Sequence, residues 1–257
     1  PTPQGIVNPI NQKGAAPAAI ATAPSTTPTP TAVAPTAVST TTESVPTAIR
    51  VPTAGDRPLT FPDLPTSHWA YPFIKELARR GMVTGVGDGT FKPDQPVNRA
   101  QYVALLNEVL SGTRQGQSPF KDVQRGFWAT EAIGAAVQAG FIKGYPDQTF
   151  QPGVPMTKMQ VLLSLANGFQ LPKPVETNRS LQALRDGEQI PAWAKPAIAA
   201  ATEAGVVVNY PDINQFHPNQ AATRAEVVTM VYQALKTTGQ LPAIQSPYIF
   251  KPSIVQP

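Results

Sequence analysis

The apolar residues of this chain fall into a pattern that returns three times. Trp69, Phe73, Ile74 and Leu77 stand at i, i+4, i+5 and i+8, and the spacing recurs as Trp128, Ala132, Ile133 and Ala136, then as Trp193, Ala197, Ile198 and Ala201. Such intervals put four apolar or small side chains on one helical face, wide enough to pack on a partner. A glycine follows each stripe (Gly81, Gly140, Gly205), where a left-handed residue would end the helix. Next comes a short apolar piece, Met82-Val83, Phe141-Ile142 or Val206-Val207-Val208, too short to stand alone as a sheet. A turn-rich loop then leads to a second amphipathic segment. That segment carries Val103, Leu106 and Leu110, matched by Leu162, Leu165 and Phe169 and by Val228, Val231 and Leu235.

The start of each second helix is the strongest local signal. Asn98-Arg99-Ala100-Gln101, Thr157-Lys158-Met159-Gln160 and Thr223-Arg224-Ala225-Glu226 all have the form of a capping box. The first side chain accepts from the third helical N–H, and Gln101, Gln160 or Glu226 reaches back to the N–H of the cap. A base at the first helical position faces the positive end of the helix dipole, which is mildly unfavourable. Its threefold recurrence as Arg99, Lys158 and Arg224 points to an anion held there by helix N–H groups and side-chain charge together. The competing reading is a surface base that packs its stem on the repeat and bonds a neighbouring carboxylate. On the dipole argument, replacing Arg99 or Arg224 by Ala should cost little stability.

Aligning residues 61–118 with 120–177 gives a constant offset. Phe61 falls on Phe120, Asp63 on Asp122, Trp69 on Trp128, Gly85 on Gly144 and Arg99 on Lys158. A third copy matches Trp193, Gly205, Tyr210, Phe216 and Arg224 to their counterparts, with Leu184 and Asp186 near the place of the Phe-x-Asp entry. All three tryptophans of the chain occupy one repeat position, so the fold is an internal repeat array. The expected organisation is a tether over 1–60, repeats over 61–118, 119–177 and 178–238, and a Pro-rich C-terminal tail over 239–257, with both Pro-rich ends disordered, although Tyr248, Ile249, Phe250 and Ile254 give the tail apolar groups that could dock.

Composition narrows the function. Residues 1–60 lack any aromatic residue and are built largely from Pro, Thr, Ala and Ser, so they are expected to be disordered or extended. Over residues 61–240 there are 16 basic and 14 acidic residues, scattered without a stripe, which argues against nucleic-acid binding. No apolar run is long enough for a membrane span. The absence of cysteine excludes disulfide scaffolds, thiolate metal sites and cysteine nucleophiles, and fits an exported protein. Asp63 and Asp122 read as turn or cap residues rather than as a catalytic pair. Asp88, Asp94, Asp147 and Asp212 lack calcium-loop spacing, and His68 and His217 form no metal or triad pattern. No cofactor, metal site or catalytic activity is expected.

Units of this form, with F-x-D, W-A, G-x-(I/V)-x-G, F-x-P and (T/N)-(R/K)-A-(E/Q) in that order, resemble surface-layer homology (SLH) domains. The resemblance covers about residues 61–237. It implies a mainly α fold in a pseudo-threefold arrangement, with the first helices bundled at the centre and grooves between neighbouring repeats. It also implies non-covalent anchoring to an anionic cell-wall polysaccharide, typically bearing pyruvate ketals, at the cell envelope of an exported protein. Carried over by position, the anion contacts fall to Arg99, Lys158 and Arg224, with Gln101, Gln160 and Glu226 of the same motif. The groove lining falls to Trp69, Trp128 and Trp193 with Gly85 and Gly144. Lys158-Met159 replaces Arg-Ala in the second repeat and Asn209 replaces the glycine in the third, so the three grooves are not equivalent.

For the tryptophans, helical patterning alone favours a core role over sugar stacking. The expected partner is a secondary cell-wall polysaccharide or a peptidoglycan-linked glycan. The alternative is a structural envelope protein whose repeats and Pro-rich tails bind other envelope or surface proteins.

Overall fold

The computed structural model describes residues 60–110, 116–174 and 176–252. The expected tether, apart from Thr60, lies outside the described residues, as does Ile254 of the tail. Each repeat contributes a first and a second helix: α1 (Tyr71–Arg79) and α2 (Arg99–Val109), α3 (Thr130–Gln138) and α4 (Lys158–Gly168), and α6 (Lys195–Glu203) and α7 (Arg224–Thr237). A short α5 (Thr177–Leu181) and a 3-10 turn (Gly187–Gln189) fill the longer connection before α6. Among the described residues the remaining regular structure consists of isolated antiparallel bridges, so the fold is mainly α.

The glycines end the first helices as their positions predict. Gly81, Gly140 and Gly205 adopt φ of 70°, 77° and 68°. The N–H after each, from Met82, Phe141 or Val206, donates to the carbonyl of Leu77, Ala136 or Ala201 at 2.8–3.0 Å. This is the Schellman closure, and it redirects the chain into the short apolar piece.

Helix packing departs from the expected central bundle of first helices. Each first helix packs instead on the second helix of the preceding repeat: α3 on α2, α6 on α4, and α1 on α7. Phe73 of α1, fully buried, meets Tyr232 of α7 edge-on at 5.3 Å between ring centroids. The stripes therefore bury, but against a neighbour's second helix. Burial of Phe73, Ile74 and Leu77 contributes on the order of 2 kcal/mol per side chain. The pattern is cyclic, because the last repeat closes on the first, and this makes the arrangement pseudo-threefold.

Main-chain hydrogen bonds close the cycle at its centre. Val97 N–H donates to Ala222 (3.0 Å), Ala222 N–H to Met156 (2.8 Å), and Met156 N–H to Val97 (2.9 Å). These are equivalent residues, each just before a helix cap, and all three are buried. Antiparallel bridges Pro96–Thr223, Asn98–Pro155 and Thr157–Ala221 flank the ring.

A conserved geometry also holds the loops. The carboxylate of Asp63 accepts from Phe91 and Lys92 N–H (2.8 and 2.7 Å), that of Asp122 from Phe150 and Gln151 (2.8 and 2.7 Å), and that of Asp186 from Phe216 and His217 (2.9 and 2.6 Å). In each pair the second residue is left-handed, with φ of 56°, 57° and 54°. The carboxylate offsets that strain with two charge-assisted bonds. Asp186 thus fills the place of Asp63 and Asp122 in the third repeat, and Leu184 that of Phe61 and Phe120.

The C-terminal tail is not disordered through residue 252, contrary to its Pro-rich composition. Phe250 and Leu241 are buried, Phe250 N–H donates to Val207 (2.9 Å), and Asn209 N–H donates to Tyr248 (2.9 Å). The apolar residues Leu241, Tyr248 and Phe250 hold it where proline alone would not.

Because Asp186 is buried, Asp186→Ala leaves two N–H groups without acceptors and should lower unfolding free energy by about 2–3 kcal/mol in urea titration. Burial pushes the Asp63 carboxyl up, but the bonds from Phe91 and Lys92 outweigh it and leave it below the usual range. A depressed folded-state value stabilises above the unfolded value, near 4, and that contribution is lost as pH falls through the folded value. As pH falls below about 4, Tm should therefore fall more steeply in the wild type than in Asp63→Asn.

Candidate functional site

All three capping boxes form. Asn98, Thr157 and Thr223 accept from the N–H of Gln101, Gln160 and Glu226 at 2.9, 3.2 and 3.3 Å. The side chains of those three residues accept in return from the cap N–H at 3.0, 3.0 and 2.9 Å. The next donors are also occupied. Arg99 and Ala100 N–H donate to Val154 and Pro152, Lys158 and Met159 to Gln220 and Pro218, and Arg224 and Ala225 to Gln95 and Pro93, at 2.8–3.1 Å. The first three N–H groups of each second helix are therefore consumed by the cap and by the next repeat. The expectation that open helix N–H groups hold an anion is corrected by this: the helix starts are repeat-to-repeat joints.

The three bases follow the same direction, each reaching into the next repeat. Arg99 is 5% exposed; its Nε donates to Phe150 (2.7 Å) and its Nη2 to Lys143 (2.9 Å), both backbone carbonyls of the second repeat. Its guanidinium lies over the rings of Phe150 and Tyr145, at 4.4 and 5.0 Å. The Nη1 group has only the Met156 thioether at 3.9 Å. Desolvation lowers its pKa, partly countered by Tyr145 and Asp122.

Lys158 is 1% exposed and pairs through Nζ with Glu226 at 3.1 Å, beside the Phe216 ring. Glu226 thus caps α7 with one oxygen and neutralises the second repeat's base with the other. Gln101 and Gln160, in the same slot, carry no charge, which accounts for the one ion pair in a set of three.

Arg224 differs from both. It is half-buried, donates Nη2 to the Thr84 carbonyl (2.8 Å) and lies 4.8 Å over the Phe91 ring. Its Nε is shielded from solvent and has no hydrogen-bond partner among the described groups. Desolvation lowers its pKa, with the charge of Glu108 opposing. The Glu108 carboxyl is itself pushed up by desolvation and held back by Arg224.

The tryptophans precede their helices by two residues, as the bounds of α1, α3 and α6 show, so they are not locked to the buried face. Trp128 is 64% and Trp193 71% exposed, which overturns the core reading for both. Trp69 is partly buried and stacks on Tyr210 of the third repeat, with centroids 5.2 Å apart and planes at 14°. Gly85 and Gly144 serve packing: a Cβ on Gly85 would sit 2.7 Å from the Thr90 carbonyl and against Phe61, and one on Gly144 would run into the Phe120 ring. In the third repeat the smaller Leu184 replaces the Phe, and buried Asn209 fits, donating Nδ2 to Ile213 at 2.7 Å.

Sequence reasoning missed where the bases point and the double N–H clamp of the aspartates. The recurrence of Phe-x-Asp at fixed distance from Phe-x-Pro was the signal for the clamp.

A family model described as "S-layer homology domain" matches residues 60–103, 119–162 and 183–228. "Exoglucanase XynX" of Acetivibrio thermocellus is 30% identical over 185 residues, covering 71% of this chain and 17% of that protein. A "Cellulosome-anchoring protein" of the same species is 40% identical over 100 residues, 37% of this chain and 22% of its own length. "S-layer protein sap" of Bacillus anthracis is 28% identical over 182 residues, 70% of this chain and 22% of its own. The chain thus spans about a fifth or less of these relatives.

The buried joints make Arg99 and Lys158 structural. Arg99→Ala leaves two carbonyls unpaired and a void against Phe150, so it should cost about 3 kcal/mol in chemical denaturation, against the small cost expected from the dipole alone. Lys158→Met, which leaves Glu226 buried and unpaired, should cost about 3–5 kcal/mol, and Lys158→Met/Glu226→Gln should recover much of it.

Proposed function

Because the chain belongs to the S-layer homology domain family, whose repeats anchor proteins to the cell wall, we propose that it is a non-catalytic envelope anchor that binds an anionic polysaccharide at the loops between repeats. A pyruvylated secondary cell-wall polysaccharide or a peptidoglycan-linked glycan is the ligand class. The relatives named as enzymes match over only 10–18% of their length, which leaves their catalytic names outside the shared segment. Names such as "Cellulosome-anchoring protein" and "S-layer protein sap" support a location at the cell surface.

The observation that carries the reading is Arg224. It alone of the three bases combines partial exposure with a donor unpartnered among the described groups. A carboxylate or ketal-linked pyruvate would meet the guanidinium on its exposed Nη2 side, through a charge-assisted bond worth roughly 1.5–3 kcal/mol. The repeat relation pairs it with Trp128: Trp69 stacks on the third-repeat loop at Tyr210, and the corresponding loop position in the first repeat is Val86, beside Thr84 that Arg224 bonds. An exposed indole that the repeat relation would bring beside a guanidinium suits a sugar ring bearing an acidic substituent. By the same repeat relation Arg99 and Trp193 would make a second, weaker pair, since two Arg99 donors are already bonded and its side chain is buried.

Co-sedimentation with purified sacculi, before and after stripping of the acidic polymer, tests this. Binding should disappear on stripping and weaken with salt. Arg224→Ala and Trp128→Ala should each weaken it about tenfold or more, at ~1.4 kcal/mol per decade. Unchanged binding to stripped sacculi would favour the alternative, an envelope protein as partner.

A further inference from the structure

One of the three tryptophans is covered by the chain's own aromatic rings. Trp69 differs from Trp128 and Trp193 because two tyrosines cover it. Tyr210 stacks on it, and Tyr248 meets it edge-on with centroids 6.0 Å apart. The two tyrosines also contact each other at 4.9 Å and 76°. Tyr248 belongs to the segment after α7, and that segment is firmly seated. Its carbonyl accepts from Asn209 N–H, the next residue but one, Phe250, is buried and donates to Val207, and Val208 bridges to Ile249. Further back, the Tyr232 hydroxyl donates to the Pro242 carbonyl at 2.9 Å.

The base that reaches into this same third-repeat loop is Lys158, over Phe216, and its charge is spent on Glu226 in a pair shut off from solvent. Both groups that would greet a sugar acid, the aromatic face and the cation, are thus engaged by the protein itself. Among the described residues the other two loops lack this cover: Val86 stands where Tyr210 does in the first repeat, and Tyr145 in the second lies against Arg99.

We propose that the C-terminal segment 246–250 acts as a built-in occupant of the third inter-repeat site, leaving the chain with two sites open to glycan. The inference rests on the polysaccharide reading for the meaning of "open", while the closure itself is a separate physical fact about Trp69. Backbone pairing at Val207–Asn209 fixes the segment, and Tyr248 supplies the ring that takes the place of a sugar.

The test has two arms. In the first, Trp128→Phe/Trp193→Phe leaves Trp69 as the sole indole, and acrylamide quenching reads its cover. Quenching should be several-fold weaker than for a chain retaining only Trp128, and Tyr248→Ala should raise it toward the Trp128 level. Tyr210→Ala, which opens the same ring from the other side, serves as the second variant if the first fails to fold by circular dichroism. Equal quenching of Trp69 and Trp128 in the otherwise unaltered chain overturns the closure. In the second arm, a disaccharide carrying a ketal-linked pyruvate is titrated calorimetrically into the full chain. No more than two equivalents should bind, and three would overturn the proposal. A chain that binds none of it counts against the polysaccharide reading, and the quenching arm then decides the closure alone.

Discussion

Three main-chain hydrogen bonds, from Val97 to Ala222, Ala222 to Met156 and Met156 to Val97, form a closed ring at the centre of the molecule. Each is worth only about 1 kcal/mol net, but breaking one in a buried site strands a donor and an acceptor together. The ring lies one residue before each cap, so it sets where the three second helices begin. From there the first helical N–H groups and the three basic side chains reach the next repeat's loop. The position of every candidate site residue at a helix start is therefore a consequence of ring closure. No single repeat contains its own candidate site: the base comes from one copy and the loop from the next.

Much of this was legible in local sequence. The capping boxes and the left-handed glycines are interactions within four or five residues, and short-range pattern determines them. The repeat and the α class followed from spacing for the same reason. What spacing could not show is where a side chain ends when its partner lies far along the chain. Arg99 finishes on the carbonyls of Lys143 and Phe150, and Arg224 on that of Thr84, 140 positions earlier. A base at a helix start looks like an anion receptor until the neighbour's carbonyls are seen to fill its donors. The tryptophans were misread because helical phase was extended two residues past the true N-terminus, where the chain is still turning. The tail was misjudged from its prolines, although Tyr248, Ile249 and Phe250 carry enough apolar surface to seat it.

The scaffold is symmetric and the sites are not. Glu226 in place of Gln neutralises one base, Leu184 with Asn209 replaces a Phe with Gly, and Tyr248 covers one tryptophan. Each change is compensated inside the repeat array, so the ring tolerates it. Such an arrangement allows an anchor to keep its architecture while its grooves diverge. Arg224 is the half-buried one of the three bases, and its Nε is unpartnered among the described groups.

Native-state hydrogen exchange of the Val97, Met156 and Ala222 amides addresses the ring most directly. If the three repeats are one closed unit, these amides exchange only through global unfolding, with a common opening free energy equal to that from denaturant titration. A lower opening free energy for any one of them, showing that a repeat detaches while the other two stay folded, would contradict it.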